Sequence, residues 1–319
     1  MTLHRRDFVR VAALLALPGA ARAAGDPTRP PDILARFPNG TFLENLVVGP
    51  DGRVLFTNYF ARRLEAWSPA AGHATAAEVP AHPVSLTALG GGDGTHALVV
   101  HGAPFTGGPA AMLGAAAVLV LGPRGEVQRR VPLPEAVFPN GGLLLAPGLL
   151  LVADSALGRV WAVDLAGGGG GAVRAWLDHP ALAPDPARPI PGVNGIKRAG
   201  GGGDLLLSNS ARRVLLRLPL AADGAPSGEP QVAARMEGGV DDFAVAPDGT
   251  VYAATHAAGL ARWRPGEAAS TGFPAPGVEA STAVALTPDG RGLYALGTGG
   301  LLEGGRGEAV LARVPLPDA

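Results

Sequence analysis

An all-β fold, a single six-bladed β-propeller, is what this sequence predicts, and three observations predict it. Helical periodicity is nearly absent beyond the first two dozen residues, where short apolar runs alternate with Gly, Pro and Asp turns instead. A strand-turn-strand phrase recurs along the chain. The copies stand about 40 to 55 residues apart, the spacing of propeller blades.

The phrase is clearest in Glu44-Asn45-Leu46-Val47-Val48-Gly49-Pro50-Asp51-Gly52, in 241–249 and in 282–290. Each copy opens on a polar residue, continues as an apolar strand and closes on Pro-Asp-Gly, a tight-turn signal. A second strand follows at once in Val54–Thr57, Val251–Ala254 and Leu293–Leu296. Looser copies run over 140–152 and 194–207, and the weakest runs from Ser85 through the Gly90–Gly94 loop to Val100. A third strand is expected at 63–67, 159–163, 213–217 and 259–263. One such sheet cannot bury both faces, whereas six packed radially can. The ring is expected to close by pairing residues 33–36 with a C-terminal strand at 309–314. The segments 102–117 and 167–171 look like loops, so residues 24–319 form one domain.

Residues 1–23 have a different character. Arg5-Arg6-Asp7-Phe8 precedes an apolar run from Val11 to Leu17, then Pro18-Gly19 and a small-x-small site at Ala21-Arg22-Ala23. That order is an export signal, and the paired arginines mark it as a twin-arginine signal read by that export machinery. The run is far short of the roughly 20 residues that span a membrane. The mature protein is therefore expected in the periplasm or outside the cell, without a membrane span.

Composition narrows the chemistry. The chain has no cysteine, which excludes disulfides, thiolate nucleophiles and Cys-ligated metals. Its net charge is −1 and it carries no basic block, so nucleic acid is not an expected partner. No H-E-x-x-H, P-loop or G-x-S-x-G motif occurs.

Blade geometry places the six openers, Glu44, Ser85, Asn140, Asn194, Asp241 and Thr282, at one mouth of the central channel. The ends of the second strands, at Asn58-Tyr59, His101, Asp154-Ser155, Asn209-Ser210 and His256, belong to the same face; Asn58, His101, Asp154, Asn209 and His256 are candidate substrate contacts together with Asn140. Carboxylates and amide carbonyls gathered there suit a hard divalent cation such as calcium. Ser85 and Thr282 read better as caps that satisfy backbone groups.

At these openers the sequence resembles the senescence marker protein (regucalcin) and gluconolactonase family. The resemblance implies a metal held by Glu44, Asn194 and Asp241, with Asn140 on the substrate side and Asp241 as catalytic base. A closer likeness is to a lactonase-like, NHL-repeat branch that includes fungal hetero-Diels–Alderase-like proteins. It rests on Glu44-Asn45-Leu46, the segment 154–161, Asn194-Gly195-Ile196-Lys197 and Asp241-Asp242-Phe243. The extra Asp242, Lys197, and the lack of a Glu-x-Pro opening and an Arg-x-Asn-Asp-Gly segment depart from the lactonase pattern and weigh against sugar lactones. The expected function is an exported lactonase-like hydrolase acting on a small lactone or ester. The alternatives are a metal-free small-molecule binder or pericyclase-like catalyst, and a non-catalytic interaction propeller. Strand alternation predicts that Asp241 faces the channel and Asp242 the packing between blades.

Overall fold

The computed structural model describes residues 29–317, apart from 91–93, 168–171, 189–190, 202 and 257–258. The export signal expected at 1–23 lies outside the described residues.

Six four-stranded antiparallel sheets form the blades of a propeller. Their innermost strands are Leu43–Val48, His82–Ala88, Pro139–Ala146, Val193–Arg198, Val240–Val245 and Ser281–Leu286. In the last blade the outermost strand is Asp32–Phe37, which pairs with Ala309–Pro315 in the register Arg36 to Val310 and closes the ring. The expected closure is therefore found. Among the described residues no helix is long and apolar enough to cross a membrane.

Six apolar clusters hold the disc together, one in each space between neighbouring blades. Leu43, Phe56, Leu296 and Leu311, for example, fill the seam where the first and last blades meet. The residues come from both faces of each sheet, which is why the strands carry near-continuous apolar runs. Hydroxyl groups stitch the blades where the sheets converge. Thr57 Oγ1 donates to the Val84 carbonyl, Ser155 to Val193, Ser210 to Val240 and Thr282 to Leu43.

Each inner strand slips register near its start. In the first, third, fourth and fifth blades the slip encloses Glu44-Asn45, Asn140-Gly141, Asn194-Gly195 and Asp241-Asp242. A bulge sets two residues opposite one and breaks the alternation of side chains. The amides it frees find new partners: Asn45 N–H donates to Thr57 Oγ1, and Gly195 N–H to Ser208 Oγ. Regular alternation thus fails at the residues on which the functional reading depends.

Candidate functional site

The bulges place two layers of polar side chains in the channel. Glu44, Asn140, Asn194 and Asp241 all line one cavity of about 630 Å³ at the mouth. A larger cavity of about 900 Å³ opens among the Pro50 and Pro123 turns on the other face and includes none of the predicted site residues.

In the upper layer, Asn194 Nδ2–H donates to Asp241 Oδ1 at 2.5 Å, and His256 Nε2 lies 3.0 Å from Asp241 Oδ2. The second histidine nitrogen is 3.6 Å from Glu303 Oε1, an ionic contact beyond hydrogen-bond length. Burial pulls the His256 imidazole down, but the Asp241 charge, its hydrogen bond and the Glu303 charge together hold it above its usual range. Glu44 is buried, and its Oε2 has no hydrogen-bond partner among the described residues. Burial first, then the charges of Asp241 and Asp242, push the Glu44 carboxyl well above the ordinary carboxylate range.

The lower layer is built from the next residues along the same strands. Asn45 Nδ2–H donates to Asp242 Oδ2 at 3.0 Å, joining the first and fifth blades across the channel. Lys197 Nζ, from the fourth blade, donates to Asp242 Oδ1 and also lies 5.6 Å from the Phe243 ring centroid. Asn45 Oδ1 accepts the Leu86 N–H of the second blade. Gly195 leaves room for this belt, since a Cβ there would stand 2.6 Å from Asp242 Oδ1. Asp242 therefore does not point into the packing between blades, as strand alternation predicts. The bulge turns it into the channel, where its carboxylate is fully paired.

Of the second-strand residues expected to contact substrate, His101 and His256 line the cavity, while Asn58, Asp154 and Asn209 do not. Asn58 donates to Glu65 Oε1 within its own blade. Asp154 accepts from the backbone of Val137, Phe138, Ala156 and Leu157 and from the Trp161 indole. Asn209 donates to the Ala181 and Ala183 carbonyls and accepts from Arg212 N–H. Asp154 and Asn209 are spent on fixing loops around the mouth, and Asn58 on a contact inside its own sheet. The following residues, Tyr59 and Ser155, face the cavity in the first and third blades. Ser85 and Thr282 satisfy backbone groups, as their residue types suggest.

Sequence reasoning placed Tyr59 at a strand end beside the channel but missed the rest of the cavity wall. Phe42, Tyr59, Phe105 and Phe138 line it, with Phe105 5.4 Å from Phe42, 4.9 Å from Tyr59 and 6.4 Å from Phe138 between ring centroids. The chain has only nine phenylalanines and three tyrosines, so their gathering around the openers was the available signal. Glu303, reached through a loop of the last blade, carried none.

Among the described residues no three His, Cys, Asp or Glu side chains form a metal-sized group. Glu44, Asp241 and the amide of Asn194 are instead a mixed oxygen set. The partnerless Glu44 Oε2 is the kind of acceptor a hard cation takes, and both Asp241 oxygens keep lone pairs beyond their present bonds. These residues fit such an ion.

No family model matches the chain, and no curated protein matches its sequence. Solved structures do. A calcium-binding protein, regucalcin, from Agrobacterium tumefaciens superposes with a TM-score of 0.59 at 16% identity, covering 92% of this chain and 95% of that one. A gluconolactonase from Xanthomonas campestris gives 0.64 at 15%, covering 95% and 99%. By fold, the chain is similar to the regucalcin and gluconolactonase propellers. A catalytically inactive histidine-to-alanine variant of virginiamycin B lyase from Staphylococcus aureus, with quinupristin, gives 0.54 at 12%, covering 88% and 98%. The likeness to the fungal branch rests on the sequence phrases alone.

Proposed function

We propose that the protein opens a small lactone or ester with water at the channel mouth, aided by a divalent cation, calcium or a similar ion, held by Glu44, Asn194 and Asp241. The observation that carries this reading is Glu44 Oε2, buried beside two other carboxylates without a partner. A buried carboxylate in that position calls for a compensating cation. When bound, such an ion supplies Lewis acidity, which polarises an ester carbonyl and eases the deprotonation of water.

The chain's own groups supply the rest. Asp241, held from both sides by Asn194 and His256, takes the proton of the attacking water. As the ring C–O bond breaks, the same proton passes to the leaving alkoxide. Asn140, which lines the same cavity, orients the ester. The Arg5-Arg6 signal leads us to place this activity in the cell envelope, reached through the twin-arginine machinery.

The His256–Asp241 pair favours a second reading, in which the imidazole moves the proton without a metal.

A pH-stat assay of the purified protein over a lactone panel, with calcium or with EDTA, tests both readings. Asp241→Asn should lower kcat/KM by roughly 100-fold or more, and EDTA should abolish turnover. Turnover that survives EDTA but is lost in His256→Ala would select the second reading. No hydrolysis of any lactone would remove both.

A further inference from the structure

The mouth cavity has a polar floor and a wall that offers almost no hydrogen bonds. The floor is the upper layer already described. On the wall, His101 Nε2 lies 2.8 Å from the Pro139 carbonyl, which can only accept, so this nitrogen carries the proton. His101 Nδ1 then accepts from the Tyr59 hydroxyl at 3.0 Å, and the Tyr59 oxygen itself accepts Phe105 N–H at 3.0 Å. Tyr59 and His101 have turned their polar atoms onto each other, and the Ser155 hydroxyl is spent on the Val193 carbonyl. Phe42, Phe105 and Phe138 present rings beside them. The facing segment contributes Pro184, Pro186 and Pro191, which have no backbone N–H to give, and between them Asp185 and Arg188, which are ion-paired with each other at 3.8 Å while Arg188 also donates to the Ala211 carbonyl. At the rim, Leu302 is 51% exposed.

A polyhydroxylated ring entering this cavity would lose water from each hydroxyl and, among the described residues, find partners on the floor and at the already paired Asp185 and Arg188, which costs affinity at every unpaired group. An apolar or aromatic body gains from burial and from offset contact with the rings. A cavity of about 630 Å³ suits a body of drug-like size. We infer that the substrate is a lipophilic, aromatic-bodied lactone or ester, its ring system against the Phe42–Tyr59–Phe105–Phe138 wall and its one polar head on the Glu44–Asp241 floor. The identity of that head rests on the hydrolase reading above; the lipophilic body rests on the wall alone.

Turnover and binding are measured separately. Dihydrocoumarin, δ-valerolactone and D-glucono-δ-lactone serve as substrates. Their uncleaved analogues 3,4-dihydroquinolin-2-one and D-gluconolactam serve as calorimetric ligands. Dihydrocoumarin should exceed gluconolactone in kcat/KM by roughly 100-fold, and only the aromatic lactam should bind. Phe105→Ala should weaken both aromatic probes about tenfold, lower δ-valerolactone turnover by less than that, and be rescued in part by Phe105→Leu. Binding of the aromatic lactam without turnover of any lactone would keep this inference and remove the hydrolase. Preferential turnover of gluconolactone, equal binding of the two lactams, or binding of neither would overturn it.

Discussion

Glu44 and Asn45 are neighbours on one strand, as are Asp241 and Asp242, yet the channel layers they build differ in the property that matters for chemistry. In the lower layer every charge is answered: Asp242 receives Asn45 and Lys197, and Asn45 also takes the Leu86 amide. In the upper layer Glu44 Oε2 has no partner, and Asp241 is held by an amide and a histidine at the edge of an open cavity. The lower belt has the character of structure, tying four blades across the axis. The upper layer has the character of a site, with negative charge held where a ligand can reach it. Asp242 also acts on the upper layer, since its charge helps raise the Glu44 carboxyl. The difference teaches that identity and burial do not separate structural from reactive carboxylates here; unspent hydrogen-bond capacity does.

The largest effect expected from breaking this contrast is in the lower layer. Asp242→Ala leaves Lys197 and the Asn45 amide facing the channel without their acceptor. Removing one partner of a half-buried ion pair costs less than the roughly 3–5 kcal/mol of a fully buried one, so urea unfolding should show a loss of about 3 kcal/mol. A loss below about 1 kcal/mol would mean that the belt is not structural.

A second effect belongs to the wall and depends on pH. Burial, more than any other cause, lowers the His101 imidazole to about 4. A histidine with a depressed folded pKa binds protons more readily when unfolded. Its contribution is therefore complete above the unfolded value of about 6.5 and is lost as pH falls from there towards 4. The shift corresponds to about 3 kcal/mol. The raised Glu44 carboxyl has the opposite sign over part of this range, because protonation favours its folded form. A difference measurement separates the two. Relative to His101→Gln, the wild type should lose about 3 kcal/mol of unfolding free energy between pH 7 and pH 4. Parallel pH curves for the two proteins would show that His101 is not held neutral by the wall.

Much of the fold was legible because each inner strand advertises itself twice, by an apolar run and by the Pro-Asp-Gly or glycine turn that ends it. The convergence of Glu44, Asn140, Asn194 and Asp241 on one cavity followed from that repeat alone. Outer strands such as Gly72–Glu78 and Val173–Asp178 left no trace, since their residues are mostly exposed or half-buried and need no apolar pattern. The third strand of the second blade, Ala116–Leu121, begins inside the segment that looked like a loop. Side-chain direction was the least legible feature. A bulge is set by pairing with the next strand, so Asp241 and Asp242 look equivalent in sequence to a regular alternating pair. Asp154 and Asn209 failed as cavity residues because loops around the mouth use up their carboxylate and amide, and Asn58 because its amide is bonded to Glu65 on the next strand of its own blade.

The central claim is that the upper layer holds a cation and the lower layer does not. It is tested most directly by the melting temperature of the mature protein, with and without calcium, for wild type, Asp241→Asn and Asp242→Asn. Ligand binding to the folded state alone raises its stability by about 2.7 kcal/mol at 100 times the dissociation constant. Calcium should therefore raise the midpoint of the wild type by several degrees. Asp241→Asn should melt near the wild-type midpoint without calcium and gain nothing from it. Asp242→Asn should melt lower and keep a calcium response. A response that survives in Asp241→Asn and vanishes in Asp242→Asn would contradict this account and move the reactive carboxylate one residue along the strand.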